Sequence, residues 1–168
     1  MAKKPQNQVS CHPDVNDVLE GWDYIKLAQN SSVPNATKSK YKAKKTEYDG
    51  IIYDSVLEAS VARRLDELMA IGDVGEDRIL NGWMRQIPFE LIPKHGSERA
   101  IVYKADFFVM MLQNLERTEF IIEVKGYDTA VWRLKRRLFL HLYPGVDLQV
   151  VRSVADVDRV IVEGWHGR

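Results

Sequence analysis

The sequence has very little cysteine and no long apolar runs, and each shortage excludes a kind of protein. Its 168 residues contain one cysteine, Cys11, which rules out an intrachain disulfide and a zinc site built on cysteines. No apolar run approaches the roughly 20 residues of a membrane-spanning helix, so we expect no membrane partner. The start Met1–Pro5 lacks the apolar core of a signal peptide, which predicts an intracellular protein.

Histidine and net charge are also scarce. The four histidines have no ligand spacing to one another, so we expect them to be structural or incidental. The 24 basic residues balance 24 acidic ones, and no overall attraction to a polyanion follows. Local patches of positive charge determine binding to a polyanion more than the net charge of the whole chain does. Two basic clusters are either solvated faces or phosphate contacts, and they comprise Lys38, Lys40, Lys42, Lys44 and Lys45, then Arg133, Lys135, Arg136 and Arg137.

Hydrophobic periodicity divides the chain into residues 1–40, a helix followed by a basic arm, and residues 41–168, a globular domain. The first helix runs from Val15 to about Leu27 with Trp22 on its apolar stripe. Such a helix either packs on its own domain or reaches a partner subunit.

The second segment predicts an α/β fold with helix, three strands, helix and strand in that order, and a mixed central sheet. The last strand returns through a helix and should pair in parallel. Pro88 indicates an edge position or a bulge. The predicted elements are a helix from Ser55 stopped by Gly72, a turn at Asn81-Gly82, strands at 83–91, 100–112 and 120–125, a helix at 129–143, a strand at 148–151 and a short helix capped by Ser153.

Two carboxylates interrupt otherwise apolar strands. Asp106 precedes Phe107, and Glu123 follows Ile121-Ile122. Burying a lone carboxylate costs several kcal/mol unless it is paired or bound to a metal. Glu123 and Lys125 are two residues apart and share one face of their strand. If the second and third strands form a hairpin, Asp106 comes alongside them.

Such a triplet suits phosphodiester hydrolysis. Mg²⁺ prefers carboxylate oxygens and keeps several waters, and Mn²⁺ can substitute for it. A metal-bound water becomes a usable nucleophile. A neighbouring lysine can orient or deprotonate that water, or stabilise the transition state. The alternative is an ordinary ion pair at a strand end.

Glu58 and Gln86 are further candidates. Glu58 occupies the third position of a capping box that Ser55 begins, which is a sufficient structural reason for it. It also lies at the edge of its helix's apolar face, from where it can point toward the strands. Gln86 is either an accessory site residue or a plain exposed strand residue.

These positions resemble the PD-(D/E)xK nucleases, whose core is helix, three strands, helix and strand. The resemblance covers about Tyr41 to Val151 and places that family's acidic helix residue at Glu58, its strand Asp at Asp106 and its Glu-x-Lys at Glu123 and Lys125. Ala105 stands where the family often has proline. The stretches 54–58, 85–89, 103–107 and 123–126 are also similar to phage-encoded nucleases, and the layout is similar to the phage endonuclease I type of Holliday junction resolvase.

The resemblance implies a restriction-endonuclease-like core and a Mg²⁺-dependent DNA endonuclease, with an extra N-terminal helix outside that core. It implies metal ligation by Glu58, Asp106, Glu123 and the Val124 carbonyl, and a catalytic role for Lys125. The expected substrate is branched DNA, cut by a homodimer without a small-molecule cofactor, in the host cytoplasm if the gene is phage-borne. The alternatives are a restriction-like or head-completion endonuclease on duplex DNA, and a DNA-binding module without catalysis.

Overall fold

The computed structural model describes residues 44–163 of the chain. The predicted helix from Val15 to about Leu27 and the lysines Lys38, Lys40 and Lys42 lie outside these residues. Within this part of the chain, no helix is long and apolar enough to cross a membrane.

A hairpin and a helix open the described chain. Strands β1 (Thr46–Tyr48) and β2 (Ile51–Tyr53) pair antiparallel around Asp49-Gly50, whose φ angles of 50° and 71° are the positive values of a tight hairpin turn. Helix α1 (Val56–Ile71) begins after Ser55, which accepts a hydrogen bond from a backbone N–H of the first turn. It ends at Gly72, where φ is 81°. Both predicted ends of this helix are confirmed, whereas β1 was not predicted.

A four-stranded mixed sheet forms the centre of the fold. Its strands are β3 (Arg78–Ile92), β4 (Ile101–Gln113), β5 (Glu116–Val124) and β6 (Asp147–Val151), and they lie in the order β3-β4-β5-β6. The first two pairings are antiparallel, and β6 joins β5 in parallel after helix α2 (Ala130–Leu142). Helix α3 (Val154–Ile161) follows, capped by Ser153. The predicted α/β class and the parallel return are therefore confirmed.

The predicted turn at Asn81-Gly82 is wrong, because both residues lie inside β3. The pairing with β4 shifts its register between Leu80 and Gly82, so the segment is an irregularity in one long strand. A Cβ at Gly82 would lie 3.0 Å from Cε of Met110, so a larger residue there would require the end of that flexible side chain to shift. Pro88 lies on β3, at the edge of the sheet as predicted.

Two buried clusters support the sheet. The main core joins α1 and α3 to the middle strands, with Leu65, Phe107 and Val157 among its members. An aromatic cluster outside that core packs α2 against the sheet. Its rings are those of Phe89, Tyr103, Phe139 and Tyr143. On β4, Asp106 lies between Tyr103, a member of the aromatic cluster, and Phe107, a member of the main core.

Candidate active site

Asp106 and Glu123 lie close together on adjacent strands. The pairing of β4 with β5 ends at Phe107 opposite Ile122, and Asp106 and Glu123 are the next residues of their strands beyond that pair. Oδ2 of Asp106 accepts a hydrogen bond from the backbone N–H of Val124 at 2.8 Å. Glu123 is only 1% exposed. The expected hairpin is confirmed, and it brings the two carboxylates to one place.

Lys125 lies between these carboxylates. Its Nζ is 2.5 Å from Oε1 of Glu123 and 3.6 Å from Oδ2 of Asp106, and it also donates to the Val124 carbonyl at 3.3 Å. Its backbone N–H donates to the Val151 carbonyl at 2.9 Å, which fixes the chain just after β5 ends. One ammonium is thus shared by two carboxylates on a rigid sheet.

Two aromatic side chains complete the surroundings of Glu123. The Tyr103 hydroxyl donates to Oε2 at 2.5 Å, and the Trp132 indole N–H donates to Oε1 at 2.9 Å. Neither residue was predicted from the sequence to belong to the site. Buried Tyr and Trp usually find a polar partner for their single polar group, so a partner was expected in general. Its identity depends on how α2 packs against the strands, which the sequence pattern does not specify.

Glu58 takes part in the cap at the start of α1, as predicted. Its backbone N–H donates to Ser55 Oγ at 3.1 Å, and the Ser55 hydroxyl donates to Glu58 Oε1 at 2.9 Å. Burial raises the pKa of Glu58, against the opposing effect of the Ser55 hydrogen bond. Its negative charge in turn raises the pKa values of Asp106 and Lys125. Glu58 is therefore a helix-capping residue whose field reaches the site.

The carboxylates leave the site with excess negative charge. Burial, followed by the charge of Glu123, raises the pKa of Asp106 to about 7, although Lys125 acts in the opposite direction. Burial alone would lower the pKa of Lys125, but Asp106 and Glu123 outweigh it and the net pKa is raised. Near neutral pH, Lys125 is therefore a cation that does not fully compensate its acidic neighbours.

The atoms that surround Lys125 Nζ are oxygen donors of the kind that Mg²⁺ prefers. They belong to the carboxylates of Asp106 and Glu123 and to the Val124 carbonyl, and the raised pKa of Asp106 indicates negative charge that a dication would offset. Among residues 44–163, no three His, Cys, Asp or Glu side chains are grouped closely enough to hold a metal ion. In this arrangement Lys125 lies between Asp106 and Glu123, and Glu58 turns to Ser55.

A family model described as "Protein of unknown function (DUF1064)" matches residues 38–157, which is more than two thirds of the chain. The chain belongs to this family. No curated protein and no solved structure matches it. The matched DUF1064 segment contains Glu58, Asp106, Glu123 and Lys125 together with both aromatic donors to Glu123. The family description states no activity, so the site itself has to support any functional proposal.

The basic residues predicted on α2 of this DUF1064 domain differ in their surroundings. Arg133 and Arg137 are exposed. Lys135 is half-buried and donates to the Val102 carbonyl at 2.7 Å, whereas Nε of Arg136 is buried without a hydrogen-bond partner in the described chain. Of the first cluster, Lys44 and Lys45 are described; both are exposed, and Lys45 Nζ lies 3.8 Å from Asp54. Solvent-facing positive charge on α2 thus comes from two arginines.

Gln86 occupies an unusual position in β3. Its neighbours Arg85 and Ile87 pair with Phe107 and Ala105, so it stands across from Asp106. Its φ of 53° is uncommon for a non-glycine residue and costs on the order of 1 kcal/mol or more. The side chain is exposed, and no hydrogen bond or ion pair within residues 44–163 joins it to Asp106 or Glu123. Gln86 is therefore close to Asp106 across the sheet but makes no polar contact with it, and its accessory role stays a prediction.

Proposed function

We propose that this protein is a metal-dependent DNA endonuclease with a restriction-endonuclease-like core. One observation carries the proposal: paired carboxylates on adjacent strands, Asp106 and Glu123, share the ammonium of Lys125. The order α1, β3, β4, β5, α2, β6 supports it, because the PD-(D/E)xK core has the same order of helices and strands. Glu58 on α1, electrostatically coupled to Asp106, supplies the remaining position of that pattern.

In this proposal Glu58, Asp106, Glu123 and the Val124 carbonyl hold Mg²⁺, or Mn²⁺ in its place. The bound ion supplies an activated water and offsets charge on the phosphate. Lys125 acts as a cation rather than as a base, because its raised pKa keeps Nζ protonated. Nζ would then donate hydrogen bonds to the developing negative charge of the phosphate, an electrostatic stabilisation of the transition state.

The direct test incubates the full chain with duplex, flap, single-stranded and four-way-junction DNA, with and without Mg²⁺. We expect phosphodiester cleavage in Mg²⁺ or Mn²⁺ and none in Ca²⁺ or chelator, because the proposed reaction uses a water activated by a metal ion. Product analysis on denaturing gels measures it. Cleavage that continues undiminished in chelator would exclude the proposed chemistry.

The same panel separates the substrate classes. Preferential cutting of the four-way junction supports a phage-type resolving enzyme that works as a homodimer, since one site cuts one strand and resolution needs two coordinated cuts. Equal cutting of plain duplex favours the restriction-like or head-completion alternative. Binding of DNA without cutting in any metal favours the non-catalytic DNA-binding module.

The exposed arginines of α2 should contribute phosphate contacts. The double variant Arg133→Gln, Arg137→Gln should weaken DNA binding and lower the slope of log affinity against log salt by about 0.9 for each lost contact with duplex. Fluorescence anisotropy across a salt series measures both quantities. Arg159→Gln is the matched control, because Arg159 is also exposed but lies on α3. An unchanged slope in the double variant would remove α2 from the DNA-contacting surface.

A further inference from the structure

Each oxygen of the buried Glu123 carboxylate has an assigned partner. Oε2 accepts from the Tyr103 hydroxyl at 2.5 Å, and Oε1 accepts from Trp132 Nε1 at 2.9 Å and from Lys125 Nζ at 2.5 Å. Hydrogen bonds to a charged acceptor are stronger than neutral ones, and they offset the cost of burying the carboxylate. Oε1 has two lone pairs, so Trp132 and Lys125 together occupy it.

The ring of Tyr103 and the backbone of Trp132 are held by contacts that do not involve Glu123. Tyr103 is 2% exposed, and its ring packs 5.0 Å from Phe139 and 6.4 Å from Phe89. Burial and the nearby Glu123 charge raise the pKa of Tyr103, so its hydroxyl stays a donor. Trp132 lies in the first turn of α2, where its backbone N–H donates to the capping residue Thr129 at 3.1 Å. The Tyr103 ring and the first turn of α2, which carries Trp132, are therefore placed independently of the carboxylate.

We infer that Tyr103 and Trp132 are positioning residues that hold Glu123 in one orientation and leave only Oε1, on its Lys125 side, for a metal ion. The inference rests on the proposed function. In this arrangement the hydrogen bonds from Tyr103 to Oε2 and from Trp132 to Oε1 are retained when Mg²⁺ binds. Lys125 is the partner of Oε1 that moves. Glu123 then ligates through one oxygen, and Lys125 is released toward the substrate phosphate. The Trp132 ring, 5.7 Å from Lys125 Nζ, should sense this displacement.

The chain contains its own matched control for this test. Asp66 on α1 accepts hydrogen bonds from the Tyr48 hydroxyl and from Trp83 Nε1, each at 2.9 Å. It is therefore a second carboxylate held by one tyrosine and one tryptophan, but in a different place. Tyr48→Phe and Trp83→Phe remove the same atoms as Tyr103→Phe and Trp132→Phe. Any general effect of losing such a hydrogen bond should appear in both pairs of variants.

The first measurement is Mg²⁺ affinity of the full chain by isothermal titration calorimetry, without DNA. Removing a residue that orients a metal ligand typically weakens metal binding by about 10-fold to 100-fold, and we expect a loss in this range for Tyr103→Phe and Trp132→Phe. Tyr48→Phe and Trp83→Phe should bind as the wild type does. Wild-type affinity in both site variants would overturn the inference while leaving the proposed function standing.

The second measurement is tryptophan emission during the Mg²⁺ titration. The wild type and Trp83→Phe should show a metal-induced change that is absent from Trp132→Phe, and chelator should reverse it. If Tyr103→Phe does not fold, this comparison still decides, because a change that persists in Trp132→Phe contradicts the inference. A wild type that binds no Mg²⁺ at all would overturn the proposed function and the positioning role with it.

Discussion

Asp106→Asn should lower the rate of Mg²⁺-dependent DNA cleavage by at least about 10³-fold, a loss of roughly 4 kcal/mol of transition-state stabilisation. The amide keeps an oxygen that can accept from the Val124 N–H, so the local backbone need not move. It removes the negative charge that the proposed metal site requires. Single-turnover cleavage with saturating protein measures the chemical step without interference from product release.

The same substitution should stabilise the metal-free protein at pH 8. The folded-state pKa of Asp106, about 7, lies above the ordinary aspartate value of 3.8. A group of this kind stabilises the fold fully below its ordinary pKa, and that stability is lost as the pH rises through the folded pKa. At about 1.4 kcal/mol for each pKa unit, the ionised carboxylate costs up to roughly 4 kcal/mol at pH 8, and Lys125 is already included in that balance. Asparagine carries no such cost.

Chemical denaturation at pH 5 and pH 8 in chelator tests this stability gain. The advantage of Asp106→Asn over the wild type should be larger at pH 8. Asp156→Asn is a control of opposite sign, because backbone hydrogen bonds from Arg152 and Ser153 outweigh desolvation and lower the pKa of the Asp156 carboxyl. That variant should lose stability at pH 8. An Asp106→Asn protein that cuts at the wild-type rate would exclude Asp106 from the site.

Local signals in the sequence determine much of the fold. Ser55 and Gly72 define the ends of α1 because a cap and a left-handed stop act within a few residues. The apolar strand 120–125 and the helix after it required β6 to return in parallel, and it does. The turn signal at Asn81-Gly82 failed because both residues lie within β3, where pairing with β4 on either side overrides the local turn preference. The short β1 carries no periodicity long enough to recognise.

The charged residues of the candidate site were predictable from the sequence, whereas the aromatic residues that donate hydrogen bonds to Glu123 were not. Asp106 and Glu123 stood out because carboxylates are costly inside apolar strands. Tyr103 and Trp132 did not stand out, since aromatic residues are ordinary in strands and helices. Their importance comes from α2 lying close enough for the indole N–H to reach Glu123, a contact between residues nine positions apart and on different elements. Lys135, which was also predicted to bind DNA, donates a hydrogen bond to the Val102 carbonyl, a contact that no sequence pattern indicated.

The second large effect is expected from Lys125→Met, which removes the ammonium and keeps a side chain of similar length. Loss of a positioned cation or proton donor costs about 10²-fold to 10⁴-fold in turnover. Mg²⁺ affinity should be retained or increased, because Nζ no longer competes for Oε1 of Glu123. Single-turnover rates and calorimetry measure the two quantities separately. Lys104→Met is the control, since Lys104 is exposed on the same strand as Asp106.

Lys125→Met should also make stability depend on metal. Removing one partner of a buried ion pair costs about 3 kcal/mol or more, and here two carboxylates are left facing each other. Lys125 lowers the pKa of Asp106, so without it that pKa should rise further above about 7, and the loss of stability should grow as the pH rises through this range.

Bound Mg²⁺ replaces the missing positive charge, and at 100 times its dissociation constant a ligand adds about 2.7 kcal/mol. The Mg²⁺-induced increase in melting temperature should therefore be larger in Lys125→Met than in the wild type. If the variant lost Mg²⁺ affinity but kept its single-turnover rate, Lys125 would be a structural partner of the metal site rather than the group that acts on the phosphate.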